Sequence, residues 1–229
     1  SRTRNEPRML LECVEQETGP APAWTVLWLH GLGADGHDFA PIVPELVRPQ
    51  WPALRFVFPH APLRPVTING GMRMRAWYDI VGMDFANRAD AAGIEESVQQ
   101  VEALIAREVE RGTPASRIVL AGFSQGGAIA LATGLRRQAP LAGLVALSTY
   151  LPGGQAVAAQ RHPNAVAQPV FFAHGDGDPV IAVQHGLASA QALEQVGFDV
   201  AWHRYPMAHQ VCAQEIADLG DWLQRRLAG

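Results

Sequence analysis

Gly122-Phe123-Ser124-Gln125-Gly126, with Gly127 behind it, follows the apolar run Arg117-Ile118-Val119-Leu120-Ala121 and leads into a small-residue helical stretch from Ala128 to Leu135. Ser124 therefore sits where a strand turns sharply into a helix, the context of a Gly-x-Ser-x-Gly nucleophile elbow. A serine raised off a sheet edge in this way needs a strained backbone. A side chain two residues before or after it would collide with the neighbouring element. Gly122 and Gly126 remove both collisions. The pentapeptide alone is a moderate signal, because ordinary strand-to-helix turns also favour glycine, so the rest of the chain must supply an acid, a base and an oxyanion site.

Upstream, Met9 to Val14 reads as a short edge strand, and Trp24 to Leu29 as a strand buried on both faces that stops at His30-Gly31-Leu32-Gly33-Ala34-Asp35-Gly36. Asp38 to Val47 is expected to be helical around Pro41 and Pro44, and Arg55 to Phe58 to be another buried strand. From His60 to Met83 periodicity is lost, which marks a long loop of functional character. Ile94, Val98, Val101, Ile105 and Val109 recur at helical spacing over about five turns, stopped by Gly112 and Pro114. Downstream of the elbow come strands at Leu144 to Leu147 and Val170 to Ala173, with an irregular segment from Thr149 to Gln168 between them. A helix from Gln184 to Val196, a strand from Val200 to Tyr205 and a final helix from Cys212 to Leu227 complete the chain.

Buried strands alternating with helices imply a mostly parallel, twisted sheet with helices on both faces. Ligands of such sheets bind at the carboxyl ends of the strands. His30, Ser124, the segment His174-Gly175-Asp176-Gly177-Asp178 and Pro206-Met207-Ala208-His209 each fall just past such an end.

Length and composition narrow the function. The 229 residues, without repeat or low-complexity block, are read as one domain, 1–229, with a net charge of -4. The positive charge is entirely arginine and scattered, so no nucleic-acid surface is expected. Cys13 and Cys212 stand far apart and are expected to be unpaired thiols of a reducing compartment. The polar N-terminus, Ser1 to Arg8, lacks a signal-peptide pattern, and no apolar run reaches membrane-spanning length, so a cytoplasmic enzyme is expected.

A serine hydroxyl needs an imidazole to take its proton and a carboxylate to orient that imidazole. The order Ser, acid, His leaves His185, His203 and His209 as bases. His185 falls in a helix and His203 inside a strand, whereas His209 lies in a loop with free reach. Asp176 and Asp178 compete as the acid. Asp178 is preferred because Pro179-Val180 can fix its turn, while Asp176 between two glycines reads as a turn former. Alternating His174, Asp176 and Asp178 could suit a metal, but the glycines argue for a turn and no second cluster completes a shell, so no metal is expected. For the oxyanion, Gln125 supplies one backbone N–H and the loop after the first buried strand the other, most simply Leu32.

The stretches 30–36, 122–127 and 175–180, together with the His209 segment, resemble the small carboxylesterase, lysophospholipase and acyl-protein thioesterase family of α/β-hydrolases. The stretch Ala61 to Gly71, continuing to Trp77-Tyr78-Asp79-Ile80, is similar to its bacterial carboxylesterase branch. The resemblance implies an α/β-hydrolase fold without a large lid domain and a Ser124-Asp178-His209 triad. It also implies oxyanion donors at Leu32 and Gln125, turns set by Gly31 and Gly33, no cofactor and a homodimer. Trp77 is expected near the acyl pocket, with Leu32, Arg75 and Met207 as further substrate contacts. Ala208 and Gln210 depart from the family's usual glycine and small polar residue around the histidine. Arg73 and Arg75 add positive charge before Trp77, read either as solvated loop charges or as a preference for anionic substrates.

The expected activity is hydrolysis of short- to medium-chain acyl esters through an acyl-enzyme. Protein thioesterase or lysophospholipase activity is the alternative on the same site. A catalytically silent hydrolase-fold binding protein is the alternative of another class, disfavoured because no triad member is missing.

Overall fold

The computed structural model describes residues 10–82 and 90–228. The expectations for Ser1 to Met9, and for Met83 at the end of the aperiodic segment, lie outside the described residues.

Seven strands form one sheet in the order β1-β3-β2-β6-β7-β8-β9: Cys13–Glu17 (β1), Leu54–Pro59 (β3), Trp24–Leu29 (β2), Ile118–Phe123 (β6), Gly143–Leu147 (β7), Val170–Gly175 (β8) and Val200–Tyr205 (β9). β1 runs antiparallel to β3 and every other neighbouring pair is parallel. Alternation along the central strands sends side chains to opposite faces. Leu27, Leu29, Leu120, Leu144 and Phe172 join one core cluster, while Val26, Trp28, Ala121, Val145 and Phe171 join the other. The first face is covered by α2 (Ala91–Glu110), α3 (Gln125–Leu135) and α5 (Val183–Gln195), the second by α1 (Val43–Leu46) and α6 (Ala213–Leu227). A short α4 (Gly154–Ala158) lies in the segment between β7 and β8. This is the α/β-hydrolase arrangement.

Four expectations need correction. Among the described residues the edge strand lies at Cys13–Glu17 and leaves out Leu10, Leu11 and Glu12 of the expected Met9 to Val14, because its pairing runs from Cys13 opposite Pro59 to Glu17 opposite Arg55. The helix at Asp38 to Val47 shrinks to a 3-10 turn, Ala40–Ile42, followed by four helical residues, since Pro41 and Pro44 each fit only an opening turn. The aperiodic segment after His60 contains an antiparallel hairpin, β4 (Leu63–Val66) with β5 (Met72–Arg75). In α2, Val109 faces solvent and Glu108 is buried in its place. Glu108 Oε2 lies 3.6 Å from Arg55 and 3.3 Å from Arg111, and its Oε1 accepts from Thr25 Oγ1. A carboxylate paired in this way tolerates burial that it could not tolerate alone.

No helix among the described residues is long and apolar enough to cross a membrane. Both cysteines are free thiols.

Candidate active site

Ser124, Asp178 and His209 each follow the carboxyl end of a parallel strand, β6, β8 and β9. Ser124 follows β6 with φ 55° and ψ -121°, a conformation that L residues rarely adopt. Two hydrogen bonds hold it there: its N–H donates to the Leu147 carbonyl at 2.9 Å, and Thr149 Oγ1 donates to the Ser124 carbonyl at 2.6 Å. The flanking glycines are required by close approach. A Cβ on Gly122 would lie 2.3 Å from the Gly126 carbonyl oxygen, and one on Gly126 would lie 2.3 Å from that of Leu29. Both distances are far inside contact, so the strand, the elbow and the first turn of α3 can pack only as glycine.

Asp178 follows β8, and its side chain is fully buried. Its Oδ1 accepts from the N–H groups of Val180 and Ile181 at 2.8 and 2.9 Å, the turn that Pro179 fixes. Its Oδ2 faces His209 Nδ1 at 2.6 Å. A carboxylate only accepts, so Nδ1 carries the proton and Nε2 is left as an acceptor for the Ser124 hydroxyl, 3.0 Å away. The Phe123 ring packs against the His209 ring at 4.9 Å between centroids. Ala208 is not among the residues with positive φ, so the turn before His209 does not call on the freedom of a glycine. Serine, imidazole and carboxylate thus form one continuous line from solvent to interior.

The competing groups point elsewhere. Asp176 is exposed and accepts from Arg204 Nε at 2.6 Å. His174 is buried and donates from Nε2 to the Ile181 carbonyl at 2.8 Å. Asp176, exposed and paired with Arg204, stands apart from His174 and Asp178, so the three do not converge as metal ligands would. His185 lies in α5 and His203 in β9.

The loop after β2 closes the other side of the serine. Gly31 packs against Phe123 and Ser124, and Gly33 has φ 78°, which favours glycine. His30 is locked beneath: Ala61 N–H donates to its Nε2 at 3.0 Å, so Nδ1 bears the proton and donates to the Gly31 carbonyl at 2.7 Å. Burial lowers the His30 pKa to about 4, and the ring stays neutral. Leu32 and Gln125 border the same pocket as Ser124.

That pocket, about 310 Å3, is walled largely by apolar and aromatic side chains, among them Leu32, Tyr78, Ile80, Tyr150, Val180 and Ile181. Three expected substrate contacts do not line it. Trp77 is fully buried behind the wall and donates from Nε1 to the His30 carbonyl at 2.8 Å. Met207 is buried in the core on the α1 and α6 side. Arg75 donates from Nη1 to the Ala61 carbonyl at 3.0 Å, and Arg73 donates to the Leu63 carbonyl. Both guanidiniums brace the hairpin, while the carboxylate that does border the pocket is Asp38. An anion-selecting role for Arg73 and Arg75 thus has no support from their placement.

The sequence reading gave Gln125 only a backbone role, but its side chain is a strut. Its Oε1 accepts from Trp77 N–H at 2.6 Å and its Nε2 donates to the Tyr78 carbonyl at 2.8 Å, tying the elbow to the segment that carries the pocket wall. No sequence signal marks this, since the partners lie 48 and 47 residues away. Gln125→Ala would leave the buried Trp77 N–H without its acceptor. It is expected to cost ~2–3 kcal/mol in urea denaturation.

Glu215, in the first turn of α6, anchors the helix that follows the histidine loop. Its Oε1 accepts from Cys212 N–H at 3.3 Å. Burial pushes its carboxyl up to about 7, with nearby Asp218 adding to the shift. Between about pH 4.5 and 7 the folded chain therefore holds a proton that the unfolded chain releases, and stability falls as pH rises through that window. Glu215→Gln is expected to gain on the order of 3 kcal/mol over the wild type near pH 8 and nothing near pH 4. Denaturant midpoints at the two pH values check it.

Comparisons with known proteins agree with this fold. A profile of the family described as Phospholipase/Carboxylesterase matches residues 11–227. Acyl-protein thioesterase 1 of Mycosarcoma maydis is 40% identical over 228 residues, covering 93% of this chain and 95% of the relative. That of Neurospora crassa is 39% identical over 235 residues, covering 96% and 92%. Among solved structures, Arabidopsis thaliana SOBER1 superposes with a TM-score of 0.83 at 31% identity, covering 89% of this chain and 99% of that one. Both sequence relatives are fungal, and the likeness to a bacterial branch carried by residues 61–71 and 77–80 gains no support from them.

Proposed function

The chain belongs to the phospholipase/carboxylesterase family of serine hydrolases, and on that premise we propose that it is an acyl-protein thioesterase with Ser124 as its nucleophile. The observation that carries the reading is the unbroken line Asp178 Oδ2, His209, Ser124 Oγ, at 2.6 and 3.0 Å, opening into an apolar-walled pocket.

In the proposed cycle Ser124 Oγ attacks the acyl carbonyl and passes its proton to His209 Nε2. The carbonyl oxygen gathers negative charge, met by the backbone N–H groups of Leu32 and Gln125. Asp178 stabilises the imidazolium through Nδ1–H. The C–S bond breaks, and the leaving thiolate takes the proton from Nε2. Water then attacks the acyl-enzyme, gives its proton to His209 and releases the carboxylic acid, and Ser124 recovers its hydrogen. These steps need no cofactor. They run equally on an oxygen ester, which makes carboxylesterase activity the second reading, favoured by the family description. The preference for thioesters rests on the relatives at about 40% identity.

Thiol release from S-acylated peptides, compared with hydrolysis of p-nitrophenyl esters from acetyl to palmitoyl, is the test. The reading expects thiol release catalysed with the longer acyl chains. Turnover of short oxygen esters with no thiol released would return the carboxylesterase. The same reading takes the enzyme as a single-domain homodimer of the cytoplasm, which light scattering and cell fractionation would check.

A further inference from the structure

We propose that His174, which takes no part in the cycle above, is a positioning residue of the triad: its Nε2–H clamps the Asp178 turn from inside and presents a positive dipole to the carboxylate. This rests on the triad reading. The imidazole is fully buried. Its Nε2 donates to the Ile181 carbonyl at 2.8 Å and lies 3.4 Å from Asp178 Oδ2. Ile181 in turn gives its own N–H to Asp178 Oδ1 at 2.9 Å. Hydrogen bonds run from Oδ1 to the Ile181 N–H and from the Ile181 carbonyl to the imidazole, whose Nε2 ends 3.4 Å from Oδ2, an electrostatic contact rather than a hydrogen bond. The carboxylate cannot rotate about its Cβ–Cγ bond without parting from a donor, and this is the oxygen that must meet His209.

The tautomer follows from the partners. A carbonyl accepts only, so Nε2 bears the proton and Nδ1 is a bare lone pair. That Nδ1 is buried with no hydrogen-bond partner. It is pressed against Gly186 of α5, where a Cβ would lie 2.5 Å from it. A buried acceptor left unpaired costs stability. The ring nevertheless occupies a site where only one of its nitrogens is used, the one facing Ile181 and Asp178. Burial lowers the pKa of the ring, the hydrogen bond to the Ile181 carbonyl and the Asp178 carboxylate oppose it, and His209 on the β9–α6 loop and His185 on α5 push the same way as burial. A neutral N–H donor beside the carboxylate moderates its pull on the His209 proton without competing for it.

The isosteric pair His174→Met and His174→Gln isolates the donor, since both fill similar volume and only glutamine retains an N–H near the Nε2 position. In the methionine variant Asp178 faces His209 uncompensated and less fixed. kcat/KM for a p-nitrophenyl ester is expected to fall about tenfold. The acid limb of its pH profile is expected to move up by about half a unit, because His209 holds its proton more tightly. The glutamine variant is expected to restore the wild-type limb. A folded methionine variant with the wild-type pH profile would overturn the proposal, as would a glutamine variant that behaves like methionine. If neither variant folds, 15N NMR of the wild-type histidines decides. A neutral Nε2–H tautomer for His174 that does not titrate from about pH 5 to 8 supports the clamp, and the Nδ1–H tautomer or a titrating ring removes it. Failure of the triad reading is read separately, as hydrolysis surviving in Ser124→Ala.

Discussion

Ser124→Ala is expected to lower turnover of any acyl substrate by about a million-fold, leaving only what the oxyanion donors and substrate binding contribute. The loss is large because Ser124 Oγ is the hydroxyl that His209 Nε2 meets, at 3.0 Å. The fold should survive. The φ of 55° is imposed by bonds to the Ser124 backbone, from Thr149 Oγ1 to its carbonyl and from its N–H to Leu147, and alanine keeps both groups. Turnover is measured with a p-nitrophenyl ester on purified protein, and a fluorophosphonate probe should label the wild type and not the variant. Near-normal hydrolysis by the alanine variant would end the assignment. Absence of labelling in the wild type would favour a silent binding protein.

Asp178→Asn is expected to cost about ten-thousand-fold in kcat while leaving the structure close to intact. The size follows from the tautomer. Oδ2 now accepts from His209 Nδ1 at 2.6 Å, and an amide nitrogen in its place would be a donor that requires a bare Nδ1. Nε2 would then carry the proton and could not take one from Ser124. With the amide oxygen in that place instead, the NH2 group would face the N–H groups of Val180 and Ile181, two donors that Oδ1 now satisfies. Either orientation breaks part of the network, so a variant with less than tenfold loss would mean that Asp178 is not the orienting acid. Asp176→Asn is the internal control. That side chain is exposed and paired with Arg204, and its loss should leave kcat within about twofold.

What the sequence disclosed divides along the reach of the forces involved. β2 was legible at both ends, because a strand covered on both faces must be apolar throughout and Trp24 to Leu29 is fully buried. β1 was not, because Cys-Val-Glu-Gln-Glu is a polar edge whose extent is set by its pairing with β3. The β4–β5 hairpin hid behind Pro65 and the paired glycines at 70 and 71, which read as loop. At Glu108 a local rule lost to a distant one, since Arg55 lies far away in sequence and only the folded sheet brings it alongside. Ser124, Asp178 and His209, which the fold brings together, could be named because chain order and loop position constrain them. The pocket wall could not, because Tyr78, Ile80, Tyr150, Val180 and Ile181 meet through tertiary packing that no short motif encodes. Trp77 shows the difference: its place beside the site was legible, but not that it turns its indole away to hold His30.

The placing of the proposed base, His209, in the loop after the last strand has a consequence for synthesis. Ser124 emerges 85 residues before His209, and the β8–β9 pairing that brings the imidazole home cannot form until β9 has been made. At translation rates of ~5–20 residues per second, the nucleophile spends roughly 4–17 s without a base. On the proposed roles, Ser124 in a nascent chain is an alcohol without its activating imidazole. Reactivity arrives with closure of the sheet.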